Sequence, residues 1–128
     1  MRVASKPQKL RTGPLDLAHL AAQTGGDLLL QRELLDLFVA QSAEFMARLP
    51  GLAEADPGRA GDLAHKLNGS ARAIGAFKLA GAAANLERAF AADNTFAALE
   101  PVTSALGKAL RAVETYLAEL APRLNGCR

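Results

Sequence analysis

The chain has 128 residues, enough for one hydrophobic core and too few for an expected second domain. Half of its residues (50%) are hydrophobic but only 5% are aromatic, with no Trp, so a core must be built from Leu, Ala and a few Phe, which suits closely packed helices. A formal charge of +2 gives a nucleic-acid partner little support, the single Cys127 excludes an internal disulfide and a cysteine-rich metal site, and no apolar run approaches the ~18 residues of a membrane span. With no apolar run of signal-peptide length after the first basic residues, a cytoplasmic protein is expected.

Residues 1–13 carry Arg2, Lys6, Lys9 and Arg11 without hydrophobic periodicity and read as a mobile basic arm. A single domain is expected over 14–124, with 125–128 as a tail; the basic N-terminal arm and polar C-terminus merely suggest a complete small protein, and a fragment cut from a larger sensor protein is the other reading. A short helix is predicted from Pro14, with Leu17 and Leu20 or Ala21 as its apolar edge and Thr24-Gly25-Gly26 as its end. His19 lies on it and reads as an ordinary packing or surface histidine.

Asp27 caps a predicted long helix to Leu49, with Leu30, Leu34, Phe38, Phe45 and Leu49 as its buried stripe and Gln31, Arg32, Glu33, Asp36 and Glu44 off it. Pro50-Gly51 is expected to stop or kink it. Asp56-Pro57 then restarts helix, with the acid as cap and Pro in the first turn.

On this next helix Leu63 and Leu67 mark the buried side, and at about 100° per residue His65 falls about 180° from their mean direction, facing water. Around it on the exposed side come Gly61, Asp62, Asn68, Gly69 and Arg72. Glycine costs a helix interior about 1 kcal/mol relative to alanine, so a glycine one turn to each side of an exposed ring suggests clearance for another molecule.

The helix is predicted to end near Ile74-Gly75, and Ala76 begins another with Leu79, Ala83, Leu86 and Phe90 inside and Ala80, Ala82 and Ala84 allowing close approach. Asp93-Asn94-Thr95 is the next break. The last segment spaces Leu99, Thr103, Leu106, Leu110, Val113, Leu117 and Leu120 as a heptad seam, whose expected partner is the Asp27 to Leu49 helix. Pro101 either kinks this helix or divides off a short turn beginning at Phe96, and Pro122 with Asn125-Gly126 ends it. The expected fold is all-α: an antiparallel up-down four-helix bundle with a short extra N-terminal helix packed at one end.

An exposed imidazole near neutral pH is a good nucleophile toward phosphorus, whereas the chain has no Gly-rich phosphate loop and too few residues for a nucleotide domain. It is therefore not expected to use ATP. Two histidines far apart, with no His-x-x-x-His or Glu-x-x-His arrangement, make no metal site, and a metal-dependent hydrolase is disfavoured.

The residues His65, Leu67, Gly69, Ser70, Gly75 and Ala76 resemble the histidine phosphotransfer (HPt) family, whose pattern is His, Leu two residues on, Lys at three, Gly at four, Ser at five and Gly-Ala at ten and eleven. Phe38 and the Leu34 turn resemble the family's preceding helix, and the likeness spans about residues 15 to 121. The resemblance implies a phosphorelay intermediate: His65 accepts a phosphoryl group from an aspartyl phosphate of a response-regulator receiver and passes it to another. The receiver is expected to bring the Asp and Mg²⁺; the chain needs no cofactor of its own. Implied partners are receiver domains and a hybrid histidine kinase, with no nucleic acid and no membrane, and a monomer is expected.

The resemblance also implies roles for neighbours. Gly69 would leave space for the phosphoryl group, Ser70 would help fix the helix hairpin, Gly75 the turn, and Glu87 would return to the level of His65 and accept a bond from its ring N–H. Beside what the resemblance implies, Glu87 reads equally as a solvated glutamate at the edge of its stripe, and Lys66 and Arg72 read either as steering phosphoryl oxygens or as ordinary solvated cations on an exposed helix face. Asn68 stands where the family has Lys and keeps a donor without the charge; Arg72, about one turn on, is the expected compensation. Asn68→Lys is expected to alter transfer rate or phosphohistidine lifetime. The competing reading is a non-phosphorylated, degenerate HPt-like module that binds and inhibits a receiver or histidine kinase.

Overall fold

The computed structural model describes residues 13–92 and 96–125. The basic arm up to residue 12, the Asp93-Asn94-Thr95 break and the tail from Gly126 with Cys127 lie outside the described residues.

Among the described residues there are five helices and no strand: α1 (Leu17–Thr24), α2 (Leu28–Ala55), α3 (Pro57–Ile74), α4 (Phe77–Ala91) and α5 (Phe96–Asn125). The all-α bundle with a short N-terminal helix is thus the observed architecture. Helix α1 starts later than Pro14, because the Asp16 carboxylate accepts the His19 backbone N–H at 3.0 Å and so caps a helix beginning at Leu17.

Helix α2 differs from expectation in two ways. Its buried positions are Gln31, Leu35, Phe38, Ser42, Phe45 and Leu49, alternating four and three apart, while Leu30 is 38% exposed and Leu34 only partly buried. Two polar residues interrupt the seam in the sequence, and the exposed Leu29, Leu30 and Leu37 imitate one. Gln31 is tolerated inside because its amide donates to Thr24 Oγ1 at 3.1 Å and its carbonyl accepts from Tyr116 Oη, joining α1, α2 and α5. The second difference is Pro50, which neither stops α2 nor ends it: the helix continues to Ala55. Proline removes one backbone donor, freeing the Met46 carbonyl, and both residues lie on the exposed side, where water can satisfy it.

Asp56 alone separates α2 from α3, and its carboxylate caps α3 at Arg59 N–H, with Pro57 in the first turn. The inner face of α3 is Ala60, Ala64, Leu67, Ala71 and Ile74. Leu63, expected inside, is only partly buried; the small alanines hold the core line instead and let α3 sit close to Leu79, Ala80, Ala83, Leu86 and Phe90 of α4. The α3–α4 pair is the most extensively packed in the molecule.

Helix α5 is one continuous helix from Phe96 with Pro101 inside it, so no separate turn is divided off, and Pro122 also lies within it. Its buried line is Val102, Leu106, Ala109, Val113 and Leu120. Thr103, expected on the seam, is exposed and bonds back to the Leu99 carbonyl at 3.0 Å. It packs more extensively on α4 than on α2, the expected partner.

Among the described residues, no helix is long and apolar enough to cross a membrane.

Candidate functional site

The site begins at the turn between α3 and α4. Gly75 has φ 90°, and Ala76 N–H closes back on the Ala71 carbonyl at 2.8 Å, a left-handed helix ending that glycine adopts without steric cost. The Gly75 carbonyl also accepts Asp16 N–H at 2.9 Å, so the start of α1 is docked on the same turn. A Cβ at Gly75 would lie 2.7 Å from the Asp16 carbonyl oxygen.

His65 and Glu87 are equally far in sequence from Ala76, so the hairpin returns Glu87 to the level of the ring. Relative to the observed inner face of α3, His65 points about 140° away rather than directly outward, leaning toward α4. Both carboxylate oxygens of Glu87 lie 3.1 Å from His65 Nδ1. The imidazole side chain is 71% exposed.

A carboxylate only accepts hydrogen bonds, so this contact places the ring proton on Nδ1. In the neutral ring the lone pair is then on Nε2, turned away from Glu87. The geometry therefore fixes which nitrogen is available for attack.

The remaining residues fall on two sides of His65. Gly61, Asn68 and Arg72 share the α4 side of α3. Arg72 Nε donates to Asn68 Oδ1 at 3.0 Å, holding the guanidinium beside the position where the family has Lys. Gly61 is half-buried, and a Cβ there would meet Phe90 Cβ at 3.7 Å, so its small size faces α4 rather than free solvent. Gly69 differs: a Cβ there would have nothing within 4 Å. Nothing within the described residues requires glycine at 69.

Asp62, Lys66 and Ser70 lie toward α2. Ser70 Oγ donates to Gln41 Oε1 at 2.6 Å, a tie from α3 to α2 rather than within the α3–α4 hairpin. Asp62 and Lys66 line a groove with Arg48 and Leu52 of α2 and with Arg59, Leu63 and His65 of α3. Sequence reading missed Arg48, Arg59 and Gln41. Arg59 and Lys66 stand two turns apart on one helix face, a spacing that marks a shared edge, but the contribution of α2 depends on how the two helices pack.

Comparison with known proteins places this geometry in a family. Residues 33–123 match the sequence profile described as "Hpt domain". No curated protein matches the chain significantly. Among solved structures, the chain is similar to the crystal structure of histidine phosphotransferase ShpA from Caulobacter crescentus, with 35% sequence identity over 87% of this chain and 97% of that one and a TM-score of 0.68. An exposed imidazole on a bundle helix, a profile match over most of the chain and a solved relative covered almost end to end agree: the chain belongs to the Hpt family and is a histidine phosphotransfer domain of a phosphorelay.

Proposed function

We propose that the chain accepts a phosphoryl group from the aspartyl phosphate of one receiver domain onto His65 Nε2 and passes it to the aspartate of another. The observation that carries this reading is the contact of Glu87 with His65 Nδ1, which leaves Nε2 with its lone pair on an exposed ring.

In the forward step the Nε2 lone pair forms the P–N bond as the P–O bond to the receiver's aspartate breaks, and the aspartate leaves as carboxylate. The ring keeps its Nδ1 proton and becomes cationic, and the Glu87 carboxylate meets that charge. Return of the phosphoryl group to a second receiver reverses the electron flow. The partner supplies the aspartate and Mg²⁺; this chain supplies a nucleophile held in one tautomer.

Arg72, held by Asn68, supplies the cation that the family's Lys would provide. Gly69 leaves room for the phosphoryl oxygens and the receiver's edge, Lys66 steers those oxygens from the other side, and Gly75 and Ser70 hold α3 against its neighbours. The reaction belongs to the cytoplasm, where the partner receivers would meet a monomeric carrier.

The test is incubation with phosphorylated receivers from the source organism. Acid-labile, base-stable phosphate on this chain, absent in His65→Ala, is the expected result. Receiver binding with no such label would instead favour the inhibitory module, for which the loss of Lys at position 68 is the supporting observation.

A further inference from the structure

The groove on the α2 side of His65 shares His65 and Lys66 with these roles but extends beyond them to residues that have none. It encloses about 410 Å³ between the C-terminal part of α2 and the first half of α3. Leu52 and Leu63, both half-buried, are its apolar lining; the exposed Arg48, Arg59 and Lys66 are its cations, Asp62 is its one acid, and His65 lines it too.

The cations are unequally matched. Arg48 pairs with Glu44 at 3.2 Å on its own helix. Among the described residues, Arg59 and Lys66 have no carboxylate within ion-pair distance, although Asp62 stands one helical turn from each.

We infer that this groove is a specificity contact for the receiver, taking from its docking face an apolar side chain flanked by a carboxylate. The inference rests on the reading of His65 as the phosphoryl acceptor. A protein that brings a phosphorus atom to Nε2 and covers a typical ~800 Å² of this chain also covers the groove, because His65 lines both. Covering Arg59 and Lys66 takes two unpaired cations out of water, which is unfavourable unless the partner places an acid opposite them. A receiver with a carboxylate there is accepted, and one with a cation there is rejected by the same two residues.

The experiment uses the full chain and two phosphodonors. The first is the preferred phosphorylated receiver, identified by short-time profiling of the source organism's receivers. The second is phosphoramidate, which phosphorylates imidazole with loss of ammonia and needs no docking face.

Arg48→Gln/Arg59→Gln is expected to lower the receiver transfer rate about tenfold relative to its own phosphoramidate rate, and to flatten the fall in rate between about 50 and 300 mM salt. Arg59→Glu is expected to lower it further and to recover when an acidic residue on the receiver's docking face is changed to Lys. Arg111→Gln, on α5 outside the groove, should change neither rate.

Wild-type receiver transfer and salt dependence in the double variant would overturn the groove inference while leaving His65 as acceptor. Absence of any His65 label from both donors would overturn both readings. Loss of binding to anionic phosphatidylglycerol vesicles in the double variant, with receiver transfer unchanged, would reassign the groove to a lipid surface and overturn the inference.

Discussion

His19 and His65 carry the same side chain into two different surroundings. His19 sits edge-on to Phe77, with ring centroids 4.9 Å apart and planes at 72°, and its Nε2 is buried without a hydrogen-bond partner. His65 is mostly exposed, has its Nδ1 occupied by Glu87 and leaves Nε2 open. Nucleophilic use of imidazole needs both a defined lone pair and a path for phosphorus to reach it. His65 has both, whereas the buried Nε2 of His19 offers no such path.

The most decisive way to break this contrast is to remove each ring in turn. His65→Ala is expected to reduce phosphoryl labelling by a receiver at least about a hundredfold, to background, as removal of a covalent nucleophile does. His19→Ala is expected to retain most of the labelling and to lose some thermal stability, because its ring packs on Phe77. Label remaining in His65→Ala and vanishing in His19→Ala would reverse the assignment.

The ground beneath His19 can be tested through Gly75, where α1 docks on the α3–α4 turn. An alanine would have to adopt φ 90° and place its Cβ 2.7 Å from the Asp16 carbonyl oxygen. We expect Gly75→Ala to cost about 2–3 kcal/mol, lowering the thermal midpoint by roughly 8–15 °C. Calorimetry checks this, and an unchanged midpoint would mean that the turn relaxes without cost.

The two histidine environments were unequally legible in the sequence. The Gly75 turn and the inner line Leu79, Ala83, Leu86 and Phe90 could be read directly, because each residue there obeys its local preference, and the return of Glu87 to His65 follows from that hairpin. The inner line of α2 was hidden by Gln31 and Ser42, polar residues whose burial depends on distant contacts such as Tyr116 with Gln31. Exposed Leu30 and partly buried Leu34 then suggested a false start to the stripe. On α5, Val102 and Ala109 take the core positions while Thr103 faces solvent, because a seam of medium and small residues gives a weak periodic signal. The groove beside His65 was illegible for the same reason as α2: its cations come from two helices, and only their packing brings them together.

The Glu87 contact sharpens the comparison from the other direction, by making His65 more like an unoriented ring. Glu87→Ala frees Nδ1 and lets the proton sit on either nitrogen, so transfer is expected to fall about tenfold. Glu87→Gln keeps an acceptor oxygen at the same place but loses the charge that meets the cationic ring, and a loss of about threefold is expected. Transfer time courses separate the two. Because both partners are solvent-exposed, the thermal midpoint should barely move in either variant. Equal rates in all three proteins would leave the Nδ1 contact without a role in transfer.

Gly69 gives the smallest effect and the cleanest separation of folding from function. A methyl group at this position would touch nothing within 4 Å, and residue 69 lies in the interior of α3. Alanine there should therefore stabilise the helix by about 0.5–1 kcal/mol through lower backbone entropy in the unfolded chain. If the open space is kept for a phosphoryl group and a receiver's edge, the same methyl should slow transfer by about two- to fivefold while leaving the fold more stable. Stability rising as transfer falls is a pattern that damage to the bundle cannot produce. If transfer instead stays at the wild-type rate, the clearance around His65 comes from its own lean and exposure, and the glycine contributes nothing to docking.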